Sequence, residues 1–349
     1  MKKIFIILIA IATNFFYYPT SALAQDARVS QSYANPLRLN PAIMGANNDL
    51  KFIVNYRSQW ASIDKGYTTV SLTGLYPIFF EKSTNKLDIG LSVMSDKAGA
   101  FKTFDAAIAA DYNKELAPNN NLCLSLIGGF VQKSFDAANQ SFDDQYVLGS
   151  YSATNSTNEL TLKNKVSHAD LGFGFMWYLN PSREKSKLNA YVGLAGFHLN
   201  RPNQTLIGGD GKLPMRFSYQ GGIKFLGDNK IDISPNVRIF MQNGNIESAA
   251  GVYVDYNFNA KAKLVIGSWY RTHDAFSVLL GFEHKNYVIG YSYDIVNSDL
   301  NKVTTGVNAH EITLSYKLNR KAKTKAASID DNSNNKSNAN DFNSPFSSF

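Results

Sequence analysis

The amino-acid sequence predicts an all-β protein: a transmembrane antiparallel β-barrel of about 14 strands, with an N-terminal periplasmic arm and a disordered C-terminal tail. Three observations predict it. Segments of roughly ten residues alternate apolar and polar side chains along most of the chain, the period-two signature of strands with one apolar face. The first residues have the form of a secretory signal peptide. Beyond them, no continuous apolar run reaches the roughly 20 residues that a helical span requires.

The elements follow in order. Lys2 and Lys3 precede the apolar run Ile4–Ala12, and Ala22-Leu23-Ala24 places small residues at a cleavage site. Residues 1–24 are therefore expected to be a signal peptide, cut after Ala24, and the product is expected in an outer membrane. No cysteine follows the site, which argues against a lipid anchor. Residues 25–49 do not alternate and hold two Asn-Pro pairs, Asn35-Pro36 (followed by Leu37) and Asn40-Pro41. Proline fixes its own φ and pushes the preceding residue towards extended geometry. The expectation is an extended, turning arm, not a helix, that tucks into or under the barrel from the periplasmic side.

The barrel is expected over residues 50–319. Phe52, Val54 and Tyr56 oppose Lys51, Asn55 and Arg57. Leu87, Ile89, Leu91 and Val93 oppose Asp88, Gly90 and Ser92. Later rows are as regular, for instance Leu171, Phe173, Phe175, Trp177 and Leu179, or Ile231, Ile233, Val237 and Ile239 against Asp232, Ser234, Asn236 and Arg238. Tyr287 to Leu318 reads as the closing hairpin, whose last strand should pair with the first near Phe52–Tyr56 and leave no free edge. Alternation alone does not separate a soluble sandwich from a membrane barrel. The signal peptide, the strand number and the aromatics near strand ends (Tyr56, Tyr112, Phe130, Trp177, Phe225, Tyr256, Tyr270) favour the barrel. Connection lengths agree: long segments at about 136–165, 200–212 and 298–308 alternate with tight turns, as long outer loops alternate with short periplasmic ones. Residues 320–349, Lys/Ala-rich and then Asp/Asn/Ser-rich, are expected to be disordered in the periplasm.

A search for chemistry finds little. The net charge of +7 owes much to Arg320, Lys321, Lys323 and Lys325 in the tail, and no basic patch interleaved with aromatics points to nucleic acid. Cys123 lies in a strand pattern and is read as a packed small residue. The five histidines (His168, His198, His273, His284, His310) have neither a nucleophile beside them nor metal-ligand spacing, and Asp143-Asp144 lack a calcium-loop pattern. No enzyme activity, cofactor or metal is expected. Two constellations at strand ends are distinctive: Tyr56-Arg57-Ser58-Gln59-Trp60 and Tyr270-Arg271-Thr272-His273-Asp274. They read either as interfacial aromatic belts with arginine in water, or as arginines that pair with acidic groups in the barrel mouth or on a bound protein.

The same residues carry a family resemblance. Ser30-Gln31, Asn35-Pro36-Leu37, Leu39-Asn40-Pro41-Ala42 and Gly45 begin it, followed by Tyr56-Arg57 with Gln59-Trp60 and Tyr270-Arg271 with Asp274-Ala275 and Gly281. Gly290-Tyr291-Ser292-Tyr293-Asp294, Ser298, His310-Glu311-Ile312 and Ser315-Tyr316 complete it. The chain resembles the PorP/SprF family of outer-membrane proteins of the type IX secretion and gliding machinery of Gram-negative bacteria. It departs from the family pattern at Ala27-Arg28-Val29, where a proline and an aromatic are common. The resemblance implies a barrel that binds and helps export or anchor a secreted type IX substrate, such as a surface adhesin, alongside other outer-membrane or periplasmic secretion components. Candidate partner-binding residues are Tyr56, Arg57, Gln59, Trp60, Tyr270, Arg271, Asp274, His310 and Glu311, the last two as a binding surface at the outer rim. A barrel transporting hydrophobic or small solutes is the alternative; a plugged lumen would favour the anchor and an open one the transporter.

Overall fold

The structure, a computed structural model, describes residues 29–61, 66–81, 83–136, 142–147, 150–152, 154–155, 163–181, 186–227, 230–259, 261–297 and 308–319. The expected signal peptide and disordered tail lie outside the described residues. Fourteen strands close into one antiparallel barrel. They are β1 (Asp49–Gln59), β2 (Tyr67–Phe79), β3 (Lys86–Ala98), β4 (Phe101–Ala117), β5 (Asn120–Phe135), β6 (Lys165–Leu179), β7 (Leu188–Phe197), β8 (Arg216–Leu226), β9 (Ile231–Gln242), β10 (Asn245–Asn259), β11 (Ala262–Arg271), β12 (Ala275–His284), β13 (Tyr287–Val296) and β14 (Ala309–Asn319). A small hairpin, Tyr146–Val147 with Ser150–Tyr151, stands in the connection between β5 and β6.

Each barrel strand pairs with its neighbours in the chain, and β14 closes the ring on β1, with Phe52 opposite Tyr316 and Tyr56 opposite Ile312. The expected closing hairpin is β13 with β14. One end of the barrel carries the start of β1, the end of β14 and turns such as Lys285-Asn286; we call it the terminal end. The other, the loop end, carries the connections at 136–164, 198–215 and 297–308.

Polarity decides what surrounds this ring. On β1, Phe52, Val54 and Tyr56 are 45%, 46% and 46% exposed, whereas Asn55 and Arg57 between them are 0% and 4% exposed. The same inversion holds on β9, where Ile231, Ile233 and Val237 face out and Asp232, Ser234, Asn236 and Arg238 are buried. An apolar girdle outside and polar side chains within is the arrangement that lipid stabilises and water does not. Among the described residues no helix is long and apolar enough to cross a membrane; the strands do so.

The arm lies inside the barrel. Its expected extended geometry is corrected by the structure: Ser32–Ala34 is a 3-10 turn, Pro36–Leu39 a single α-helical turn and Pro41–Ala46 a second 3-10 segment. The reason lies in the Asn-Pro units themselves. A proline at the first helical position loses no hydrogen bond, and its fixed φ suits a helix. Asn40 adds a cap, its Oδ1 accepting from the Ala42 N–H at 2.9 Å. Each Asn-Pro is thus the start of a turn. The arm runs from Ser30, beside Arg57 and Arg271 near the loop end, down to Asn47, whose carbonyl accepts from Lys86 Nζ at the terminal end.

This filling turns the interior into a core. Leu37 and Met44 of the arm pack with Leu75, Ala107, Ala109, Ile127, Ala195 and Phe197 of the wall. Ala42, Ile43 and Ala46 pack with Cys123, Met176 and Tyr178. Cys123 is fully buried there. Glycine opens one berth on the wall: a Cβ at Gly90 would come within 2.9–3.0 Å of Leu37 and Met44 atoms.

Candidate functional site

The arm is held at two levels. The lower one uses asparagine. Asn40 Nδ2 donates to the carbonyls of Phe175 (3.0 Å) and Leu194 (3.4 Å), which face each other on β6 and β7. Asn113 Nδ2 donates to the carbonyl of Gly45 at 2.5 Å, and the Tyr178 hydroxyl to the same oxygen at 3.3 Å. Arg38 pairs with Asp105 of β4. Nearer the terminal end the lumen carries a second set of ion pairs, Lys224 with Asp255 at 2.7 Å and Glu283 with Lys263 and Lys317 at 3.1 and 2.7 Å.

The upper level is a network of two arginines and two carboxyl side chains around the dipeptide Ser30-Gln31. Strand parity creates it, because Arg57, Arg271, Asp294 and Glu311 all fall on the inward row of their strands. Glu311 accepts from the backbone N–H of Ser30 (2.7 Å) and of Gln31 (3.1 Å), from Asn55 Nδ2 (2.9 Å) and from Arg57 Nη1 (3.1 Å). Asp294 accepts from Ser30 Oγ (2.5 Å), Arg57 Nη2 (2.8 Å) and Arg271 Nη2 (3.1 Å). Both arginines also donate to Ser30 Oγ, at 2.9 and 2.8 Å. Arg271 Nε completes its fork on Asp274 at 2.8 Å. Gln31 Nε2 donates to the Glu311 carbonyl and to Ser292 Oγ, and its Oε1 accepts from the Tyr33 hydroxyl. Burial, with smaller contributions from Tyr253 and Glu311, holds the Tyr33 phenol well above its usual pKa, so it remains a donor. Planar guanidinium forks can bridge two carboxylates and a hydroxyl at once, which an ammonium cannot do with fixed geometry.

The structure sorts the candidate partner-binding residues into two groups. Arg57, Arg271 and Glu311 are 4%, 4% and 0% exposed and bind the chain's own arm. Gln59 accepts from Arg57 at 3.3 Å, and Asp274 stands at the rim with its side chain 37% exposed. Tyr56, Tyr270 and His310 point the other way, into the outer girdle, where His310 Nδ1 meets the Tyr291 hydroxyl at 2.8 Å. Trp60 packs on Tyr67 at the rim, ring centres 4.7 Å apart. Neighbours on a strand face opposite sides, so His310 and Glu311 form no pair. The arm residues Asn35, Pro36, Leu37, Asn40 and Pro41 are all buried in the lumen. Ser30, Gln31, Asn55 and Asp294 are functional members of the network absent from the candidate set. Asp294 was signalled by its place on the polar row of Tyr287–Val296, opposite the conspicuous tyrosines. Among the described residues no group of three or more His, Cys, Asp or Glu side chains is arranged to hold a metal ion.

Residues 21–316 match the model of a family described as type IX secretion system membrane protein PorP/SprF, a span that contains both levels of the plug and nearly all of the barrel. The chain belongs to the PorP/SprF family. None of the curated proteins matches it. Among solved structures this PorP/SprF barrel is similar to a FadL homologue of Pseudomonas aeruginosa, with a TM-score of 0.51 and 11% identity over 80% of this chain and 92% of that one. It is also similar to the CymD monoaromatic hydrocarbon channel, with a TM-score of 0.50 and 11% identity over 86% of this chain and 95% of that one. At such identities the likeness extends to the barrel fold alone. The dipeptide at the centre of the PorP/SprF network, Ser30-Gln31, is also the first of the motifs that carry the family resemblance.

Proposed function

We propose that this PorP/SprF protein is a non-enzymatic outer-membrane barrel that binds and helps export or anchor a secreted, adhesin-like surface protein of the type IX system, in support of secretion or gliding. In this reading a signal peptide cut after Ala24 directs export, the loop end faces outward, and the partner's C-terminal domain docks on the rim around Gln59, Trp60 and Asp274. The observation that carries it is the plug. The lumen is occupied by the chain's own arm and locked by the Arg57–Asp294–Arg271–Glu311 network. A barrel filled in this way suits a binding and anchoring role better than passage of solutes.

Two measurements test it together. Crosslinking in whole cells followed by purification in detergent should recover one large secreted protein, and planar-bilayer recordings of the purified barrel should show no steady conductance. Recovery of no partner, with normal surface proteins in a deletion strain, refutes the anchoring role. A stable open pore would instead establish the solute transporter.

A further inference from the structure

Four arginines project into the lumen from the barrel wall: Arg57, Arg216, Arg238 and Arg271. Three have oxygen partners. Arg57 and Arg271 share Asp294, and Arg216 donates to the Arg38 carbonyl at 3.0 Å. Arg238, in the middle of β9, differs. It is 4% exposed, and among the described residues no carboxylate or carbonyl bonds any part of its guanidinium, whereas Arg57 and Arg216, whose Nε atoms are enclosed as its own is, bond through Nη. Its close contacts are ring faces, with Cζ 5.0 Å from the Trp269 ring centre and 5.4 Å from that of Phe240. Ring faces attract the cation but leave the in-plane N–H groups unused.

A second donor lies beside it. Gln220, directly opposite Arg238 on β8, is 5% exposed, and its Nε2 is likewise enclosed without an acceptor. On the other flank Arg238 stands opposite Ala249, which in turn stands opposite Arg271. The inward row Gln220, Arg238, Ala249, Arg271 therefore presents donors around one small side chain, and its one side-chain acceptor, Gln220 Oε1, already takes the Ser218 hydroxyl at 3.5 Å. A buried guanidinium cannot shed its proton, and the carboxylate whose charge reaches it, Glu311, is bonded to Arg57 and the arm and not to Arg238. Donors so arranged suit a group with two acceptor oxygens and one negative charge.

We propose that this row is a buried oxyanion-binding site for a carboxylate, with Arg238 supplying the charge, Gln220 a neutral donor, and Phe240 and Trp269 the walls. A monoanion fits better than phosphate, since Glu247, two residues from Ala249 on the same inward row of β10, and Asp294 and Glu311 nearer the arm already place negative charge at this level of the lumen. The site stands whether or not the barrel holds a secreted partner. Its carboxylate belongs either to a small molecule or to a polypeptide side chain entering from the loop end.

Equilibrium dialysis of the intact purified barrel with radiolabelled acetate tests the site, with acetyl-Gly-Glu-Gly-amide and its Gln counterpart as competitors. Saturable acetate binding is expected in the parent, weakened about tenfold or more by Arg238→Met and measurably by Gln220→Leu. Arg238→Met is expected to fold, because an apolar replacement of an unmatched buried charge costs little; heat-modifiable gel migration checks it, and Gln220→Leu carries the test if it fails. Displacement by the Glu peptide and not the Gln peptide assigns a polypeptide carboxylate, and acetate binding without displacement assigns a small one. Absence of saturable binding by the parent, or binding undiminished in both variants, overturns the proposal.

Discussion

Arg57 donates from two nitrogens to three acceptors on two other strands and the arm, and among the described residues no other cation bonds both Glu311 and Asp294. Removing one partner of a buried ion pair leaves the other charge uncompensated, at about 3–5 kcal/mol. Arg57→Met should therefore destabilise the barrel by roughly that amount, seen as a lower thermal midpoint in detergent. Tyr56→Phe, one residue away on the outer girdle, should change the midpoint by no more than about 0.5 kcal/mol of equivalent stability. An equal loss in both variants would show that the network contributes nothing particular. At this scale the sequence was half legible. The motifs named Arg57, Arg271 and Glu311, but the tyrosines and His310 beside them were drawn into the same group because a motif is a contiguous run, whereas the alternation already set Tyr56 and Arg57 on opposite faces. The partner of the arginines was hidden for another reason: Ser30 lies 27 residues before Arg57 and 264 before Asp294, and only closure of the ring brings them together.

Single elements tell a complementary story. The strands were legible in number and order, because period-two alternation is imposed by the two solvents on either side of the wall, but their loop-end extensions, such as Phe101–Asp105 of β4 and Lys165–Asp170 of β6, leave that wall and lose the pattern. The arm was not, because Asn-Pro reads equally as an extended break and as a cap followed by the first helical residue, and only the tight lumen selects the compact form. The turn Pro41–Ala46 depends on Asn40, so Asn40→Ala should cost about 1 kcal/mol for the cap and about 1 kcal/mol more for each hydrogen bond its Nδ2 gives to the wall. Gly90→Phe tests the berth directly. Its side chain needs the space held by Leu37 and Met44, so the turn should be expelled. In a Cys123→Ala background, a thiol introduced by Met44→Cys should resist maleimide when Gly90 is kept and react when it is Phe. Protection in both would show that the arm is accommodated elsewhere.

At the scale of the whole molecule, wall and plug are separable. The strands pair only with one another around the ring, so the wall's hydrogen bonding is complete without the arm. Deleting residues 29–46 should leave a barrel with heat-modifiable migration but an unfilled centre lined by Lys, Asp, Glu and Arg side chains. Bilayer recordings should then show steady ionic currents that the intact chain lacks. A silent deletion variant would mean that the wall collapses when emptied. The signal peptide, the strand number and the aromatics at strand ends pointed to a barrel, and strand order and closure then followed from the alternation, because a membrane barrel has few ways to bury its backbone. What fills a barrel is free of that constraint, which is why the packed lumen was not evident from the strands.

The arm also bears on the order of events during biogenesis. It is continuous with β1, it lies within the ring, and the seam of that ring joins the first strand to the last. The arm is therefore at hand before β14 exists, and can take its seat while the seam is still open. A barrel assembled in that order wraps its later strands around an occupied axis. Cargo fused ahead of the arm would be captured in that enclosure or would hold it ajar, whereas cargo appended after β14 would stay outside it.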